Sequence, residues 1–228
     1  MPTAVSFDAD YQAFCDKIRN YQDRGLRAML TSSFQSNSVV LLHFLYRSGF
    51  ELPVYFLQTG YHFAETLIFR DKLVREWKLD IRNLRSEVPR HQQRDHQGRL
   101  LYHADPDACC RLNKVAPMKE VLATHDVWIS GLRAGQNEHR AQMEPETRGT
   151  SGILRYLPLL SWSRRDVFAY LRHYALPRHP LDGHGYTSIG CMPCTQKVRL
   201  SDYTDAEEDR SGRWNGQHKT ECGLHTEL

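Results

Sequence analysis

What this chain can fold into is constrained first by a hydrophobic period that keeps switching between two values. Short apolar runs of strand length alternate with longer stretches spaced like one face of a helix. Leu26–Thr31 reads as a buried strand. Asn37–Tyr46 reads as an apolar helix that Ser36 or Asn37 can cap, and Val54–Leu57, opened by Pro53, as a second strand. A turn at Thr59-Gly60 leads into an amphipathic helix over Ala64–Trp77, and Leu79–Leu84 resembles another strand. After a polar loop from Glu87 to Gly98, the pattern predicts a helix over Arg111–Ala123 and a strand over Val127–Ser130. Ser163 and Asp166 can cap a further helix through His173. This β-α-β-α order predicts an α/β fold with a mostly parallel sheet and helices on both faces.

The periodic pattern supports one α/β domain over residues 1–198. From Arg199 to Asp209 the chain turns polar and acidic and loses apolar periodicity, so 199–228 reads as a mobile C-terminal tail or lid. The 228 residues suffice for one substantial core. A net charge of +3 without a basic stripe gives no argument for a nucleic-acid partner. No apolar run approaches the roughly 20 residues that span a bilayer, and Met1 to Asp10 lacks a secretory pattern. The expected location is therefore cytoplasmic, where disulfides are rare and paired cysteines more often bind metal or do redox chemistry.

The cysteines divide into distinct settings. Cys109 and Cys110 are adjacent, Cys191 and Cys194 form a CxxC, and Cys222 stands in Glu-Cys-Gly-Leu-His near the C-terminus. Cys15 falls among Tyr11, Phe14 and Ile18 at helical spacing and reads as a core thiol. A CxxC alone is either a dithiol redox pair or half a zinc site. The adjacent pair weighs against zinc, whereas four thiolates from two distant segments fit an iron–sulfur cluster. Lys114, one turn beyond Cys110, would bring positive charge to such a site, or is an exposed helix lysine. Cys222, with Lys219, His225 and Arg213 close in sequence, has the cations that lower a thiol pKa and make a nucleophile, although Glu221 works against this if it lies close.

Two loops are candidate ligand sites. Ser32-Ser33-Phe34-Gln35-Ser36-Asn37-Ser38 joins a predicted strand to a helix, where free N–H groups can meet an anion; a serine-rich capped turn is the alternative. The loop lacks the glycines and acidic residue of nucleotide-cleaving loops, so it suits holding a nucleotide rather than breaking its phosphoanhydride with Mg²⁺. Arg133 and Arg140 follow the strand at Val127–Ser130 and suit a sulfate or phosphate, or belong to a solvated charged loop.

Together these residues resemble the assimilatory sulfonucleotide reductases, specifically the cluster-containing adenylyl-sulfate (APS) reductases, related to the phosphoadenylyl-sulfate (PAPS) reductases. The resemblance runs from Leu26 to His225. It rests on Ser32-Ser33-Phe34, Leu57-Gln58-Thr59-Gly60, Cys109-Cys110-x-x-x-Lys114, Gly131-Leu132-Arg133, the run from Gly185 to Thr195, Gly212-Arg213-Trp214, and Lys219-Thr-Glu-Cys222-Gly-Leu-His225. It implies a fold like the adenine-nucleotide α-hydrolases, with the serine loop (Ser32, Ser33, Phe34, Gln35, Ser36) and the turn at Leu57, Thr59 and Gly60 cradling the nucleotide. By the same resemblance Cys109, Cys110, Cys191 and Cys194 hold a [4Fe–4S] cluster. Lys114, Arg140, Arg213 and His225 match positions that contact the substrate's phosphate or sulfate, and Cys222 matches the nucleophile.

The implied reaction is reduction of APS to sulfite and AMP through an S-sulfonated Cys222, which thioredoxin then resolves. No fused thiol-reductase domain is expected beyond His225, so the donor is a separate molecule, with glutaredoxin as the alternative. Gln58 and Ala64 stand where the family often has an acid and a proline. PAPS or dual APS/PAPS use, an ATP-dependent adenylating enzyme of the same fold and a zinc-stabilised binding module are the rival readings. A homo-oligomer is left open.

Overall fold

The computed structural model describes residues 4–149, 152–198, 210, 212–214, 219, 221–226 and 228. From the N-terminus, α1 (Ala4–Asp23) leads to β1 (Ala28–Thr31), α2 (Ser36–Ser48), β2 (Val54–Leu57), α3 (Ala64–Trp77) and β3 (Ile81–Leu84). The short helices α4 (Leu101–Ala104) and α5 (Pro106–Cys110) follow, and α5 continues through a π-helical turn, Arg111–Val115, into α6 (Ala116–Leu122). Then come β4 (Val127–Ser130), α7 (Glu138–Ala141), β5 (Glu146–Arg148), β6 (Leu154–Tyr156), α8 (Arg164–His173) and α9 (Gly223–Thr226).

The strands form a six-stranded sheet in the order β3-β2-β1-β4-β6-β5. Every neighbouring pair is parallel except β5 with β6. The chain winds outward from β1 to β3, then returns to place β4 on β1's other side, creating a switch point at the carboxyl ends of β1 and β4. There the loop after β4 nearly touches the first turn of α2: a Cβ on Gly131 would lie 3.3 Å from the Asn37 carbonyl oxygen.

Side-chain alternation explains why both faces are covered. Leu30, Phe56 and Ile129 point to a core shared with Phe14, Ile18, Phe44 and Tyr170 of α1, α2 and α8. Their strand neighbours Met29, Tyr55 and Trp128 point the other way, onto Met118, Val121 and Leu122 of α6. At about 1.5–3 kcal/mol for each large apolar side chain buried, these two layers supply the main stabilisation of the sheet. Cys15 lies in the first core, as its spacing predicts.

The structure departs from the sequence expectations at several places, and the first strand starts at Ala28, not Leu26. The third strand starts at Ile81, not Leu79. The helix expected from Arg111 begins at Pro106, with Asp105 as its cap accepting from Ala108 N, and is broken by the π turn. Gln35, not Ser36 or Asn37, occupies the N-cap of α2 and makes no side-chain cap bond there. Finally, β5 and β6 had no counterpart in the periodicity. Ser163 and Asp166, by contrast, form the expected reciprocal capping box on α8.

Residues 199–209, the polar stretch of the expected tail, lie outside the described residues. What is described beyond them is docked: Trp214, Cys222, Leu224 and Leu228 are buried against Met29 and Trp128. Among the described residues no helix is long and apolar enough to cross a membrane.

Candidate active site

The carboxyl ends of β1, β2 and β4 open into a cavity of about 220 Å³. Ser32, Ser33, Gln35, Ser36, Leu57, Thr59, Lys114, Arg140, Arg213, Cys222 and His225 all line it. The serine loop is held by its own side chains: Ser38 Oγ accepts from Ser33 N at 3.2 Å, and Ser32 Oγ accepts from Phe34 N at 3.1 Å. Gln35 turns away from the helix cap to accept from Ile189 N at 2.9 Å, tying the loop to the segment that carries Cys191. The first turn of α2 therefore has no side-chain cap between it and the cavity.

Three of the residues expected to contact the substrate do not line the cavity. Phe34 has a φ of +56° and a fully buried ring, packed edge-on against Phe56. Gly60 has a φ of +78° and abuts Arg90, whose guanidinium donates to its carbonyl at 2.6 Å. Arg133 is fully buried and donates to Asn37 Oδ1 and the Trp162 carbonyl, each at 3.3 Å, so it braces the β4 loop against α2. All three shape the loops around the cavity.

Cys222 reaches the cavity from the docked tail, where α9 begins at Gly223. The Lys114 ammonium lies 3.6 Å from its sulfur and 3.8 Å from that of Cys110. Lys114 follows the cysteine pair within the π turn, a distortion that recurs at functional sites. The neighbouring Cys110 thiol and the Lys114 charge hold the Cys222 thiol well below its ordinary value despite burial, and the Cys110 thiol is pushed up in turn. Burial opposes the charge on Lys114, but the Cys222, Cys191 and Cys110 sulfurs more than offset this and raise its pKa.

Glu221 is enclosed by donors. Arg140 grips it in a fork, Nε to Oε2 at 2.6 Å and NH2 to Oε1 at 3.0 Å. Arg210 adds a bond of 3.2 Å, Asn137 one of 3.1 Å, and Cys222 N one of 2.8 Å. Burial opposes ionisation, yet the Arg140 bonds win and hold this carboxyl well below its usual range. Arg210 is pushed down to about 9 by burial and by the neighbouring Arg140.

His225, a candidate cation from the sequence, sits where burial works against its charge. Its ring stacks on Trp128 at 5.6 Å, Arg155 approaches its Nδ1 at 3.3 Å, and burial with Arg140 beside it holds its pKa well below the usual value. Lys219 pairs with Asp107. Together with Arg210 and Arg213, it also stands against the Trp214 ring at 5.6, 5.1 and 4.5 Å, respectively. Arg213 Nε donates to the Cys194 carbonyl at 3.2 Å, and its guanidinium fills the space that a Cβ on Gly190 would need.

Behind Lys114, the four remaining paired thiols Cys109, Cys110, Cys191 and Cys194 line one small cavity with Thr59, Tyr61 and Asn113. All are free. Thr59 Oγ1 lies 3.3 Å from the Cys191 sulfur, and Asn113 Nδ2 lies 3.6 Å from that of Cys109. Burial pushes Cys109 up to about 11 and raises Cys194. Among the described residues, no group of three Cys, His, Asp or Glu side chains converges to hold one metal ion. The buried Tyr61 hydroxyl in this wall and the Trp214 indole N–H find no hydrogen-bond partner among the described residues.

Sequence reasoning missed Arg210, the structural part of Glu221, and the Gln93–Asn113 pair that holds the cysteine helix through bonds of 2.6 and 2.9 Å. No spacing marks these residues, because their partners come from distant segments.

Residues 27–197 match the family model of the phosphoadenosine phosphosulfate reductase domain. An adenosine 5'-phosphosulfate reductase of Chelativorans sp. (strain BNC1) is 40% identical over 210 residues, covering 91% of this chain and 82% of that protein. A phosphoadenosine 5'-phosphosulfate reductase of Gloeobacter violaceus is 36% identical, covering 88% of this chain and 83% of its own. Among solved structures, a PAPS reductase from Candida auris superposes with a TM-score of 0.69 at 19% identity, over 87% of this chain and 98% of that one. An FMN adenylyltransferase from Candida glabrata gives 0.59 at 14% identity, over 95% of this chain and 75% of its own. These structural likenesses bear on the fold alone, and they agree with the adenine-nucleotide α-hydrolase type.

Proposed function

The chain belongs to the phosphoadenosine phosphosulfate reductase family, and from that premise we propose that it reduces APS to sulfite and AMP in sulfate assimilation, toward cysteine biosynthesis. The observation that carries this reading is the Cys222 sulfur 3.6 Å from the Lys114 ammonium, in the wall of a cavity at the carboxyl ends of the parallel strands. The thiolate attacks the sulfur of APS and the S–O bond to AMP breaks, leaving an S-sulfonated cysteine. A thioredoxin thiolate then attacks the Cys222 sulfur and expels sulfite, and its second thiol frees Cys222 from the mixed disulfide. Lys114, Arg140, Arg210 and Arg213 lower the cost of bringing a thiolate to an anionic sulfate.

The four paired thiols suit a [4Fe–4S] cluster held by Cys109, Cys110, Cys191 and Cys194. Each would ligate a different iron, so they need not converge on one point. Burial disfavours the Cys109 and Cys194 thiolates, which a bound cation would stabilise. The partnerless Tyr61 hydroxyl beside them suits a polyanionic neighbour. Bound there, the cluster would supply a rigid anionic anchor facing Lys114. With Cys110 tied to iron it has no proton to donate, and Lys114 becomes the main stabiliser of the Cys222 thiolate.

Mixing anaerobically purified protein with APS and no reductant should release about one AMP per chain, with a higher kcat/KM for APS than for PAPS once thioredoxin is added. Iron with sulfide is the expected metal content. Preference for PAPS, pyrophosphate release from ATP, or stoichiometric zinc would each replace this reading with one of its rivals. Because the Gly190 face is filled by Arg213, Gly190→Ala should displace that guanidinium. The KM for APS should rise about tenfold, the scale of one charge-assisted hydrogen bond, with kcat less affected. An unchanged KM would remove Arg213 from the binding site.

A further inference from the structure

The cavity that should receive an anionic substrate already holds an anion of its own. Among its lining residues Lys114, Arg140, Arg164, Arg210 and Arg213 are cationic, and Glu221 sits between two of them. Both carboxylate oxygens are saturated. Oε2 accepts from Arg140 Nε and Asn137, and Oε1 from Arg140 NH2, Arg210 and Cys222 N. A planar fork plus further N–H donors is what recognises an oxyanion of any source, carboxylate, sulfate or phosphate. Glu221 is adjacent to Cys222, so whatever occupies this cage also decides whether the nucleophile's backbone is anchored.

We propose that Glu221 is an internal placeholder for the substrate's anionic group: its carboxylate fills the Arg140–Arg210 cage in the substrate-free chain, anchors Cys222 there, and is displaced by the incoming sulfonucleotide. The inference rests on the APS reading above and adds an exchange to it. Two buried guanidinium groups face each other, and without an anion between them each repels the other. The cage is therefore never empty: Glu221 leaves as the ligand's oxyanion arrives. Substrate binding and release of the Cys222 anchor become one coupled event, and the thiolate stays packed away, 8% exposed, until then.

The test uses anaerobically purified Cys222→Ser protein, in which APS remains intact. Direct calorimetric titration with APS is compared with the same protein carrying Glu221→Gln or Glu221→Asp. Glutamine presents an amide N–H to the guanidinium groups and gives up the grip, so APS should bind about tenfold tighter. Aspartate keeps the charge and should stay near the parent value, which a merely structural role would not reproduce. Equal or weaker APS binding by a folded Glu221→Gln chain overturns the proposal. If Glu221→Gln does not fold, hydrogen exchange on the parent decides. APS should accelerate exchange at the residue-222 N–H as its bond to Glu221 breaks, and unchanged or slower exchange overturns the exchange model. A parent chain that binds no APS overturns the substrate reading itself, and that result is distinguishable because it appears before Glu221 is altered.

Discussion

Cys222→Ser is expected to abolish the covalent step. After mixing with APS, the native chain should carry a sulfonate on the peptide containing Cys222, and the serine variant should carry none. Sulfite formation with thioredoxin should fall by several orders of magnitude, the scale of losing a nucleophile. The substitution is mild structurally. Serine keeps the backbone N–H that donates to Glu221 at 2.8 Å and removes little volume from a side chain at the cavity wall. Chemically it is severe, because Lys114 at 3.6 Å stabilises a thiolate but cannot bring a hydroxyl to its alkoxide near neutral pH. Mass spectrometry of the anaerobic mixture reads the adduct directly. An adduct on another residue, or sulfite production by the variant at the native rate, would remove Cys222 from its role.

The parts of this molecule that were legible in its sequence are those whose cause is local. β1, β2 and β4 announce themselves because both neighbours are strands and both faces are covered, which makes them continuous apolar runs. β6 is hidden because only three residues pair and the central one, Arg155, is a buried cation over the Trp128 ring. The cysteine pairs stood out by rarity and spacing. Phe34 belongs to the same motif as Ser32 and Ser33, yet its side chain serves the core; membership in a motif does not say which face of a loop a residue takes. Glu221 shows the other limit. Next to a nucleophile it reads as a hindrance, since its neutralisation depends on Arg140 and Arg210, which only the fold brings to it.

Lys114 is the second site at which a large effect is expected, and the choice of substitution matters. Lys114→Met removes the charge while keeping most of the stem, so α5, the π turn and α6 should remain packed. Removing an ammonium from a buried site relieves its desolvation, and thermal stability should not fall sharply. The anions it faces lose their counter-charge, however. With the cation gone from 3.6 Å, Cys222 retains its proton, and the rate of adduct formation from APS should fall about 10²- to 10³-fold, the cost of deleting one preorganised electrostatic contact. Iron content per chain should stay near the native value, because Lys114 touches the sulfurs without ligating through them. A second readout separates charge from packing: alkylation of Cys222 by iodoacetamide should slow together with sulfonation, since both require the thiolate. Sulfonation within twofold of native in a folded, iron-loaded Lys114→Met chain would show that the nucleophile is activated by the other cations near it, Arg213 of the cavity and Lys219 outside it. Lys114 would then keep only its place beside Cys110 at 3.8 Å.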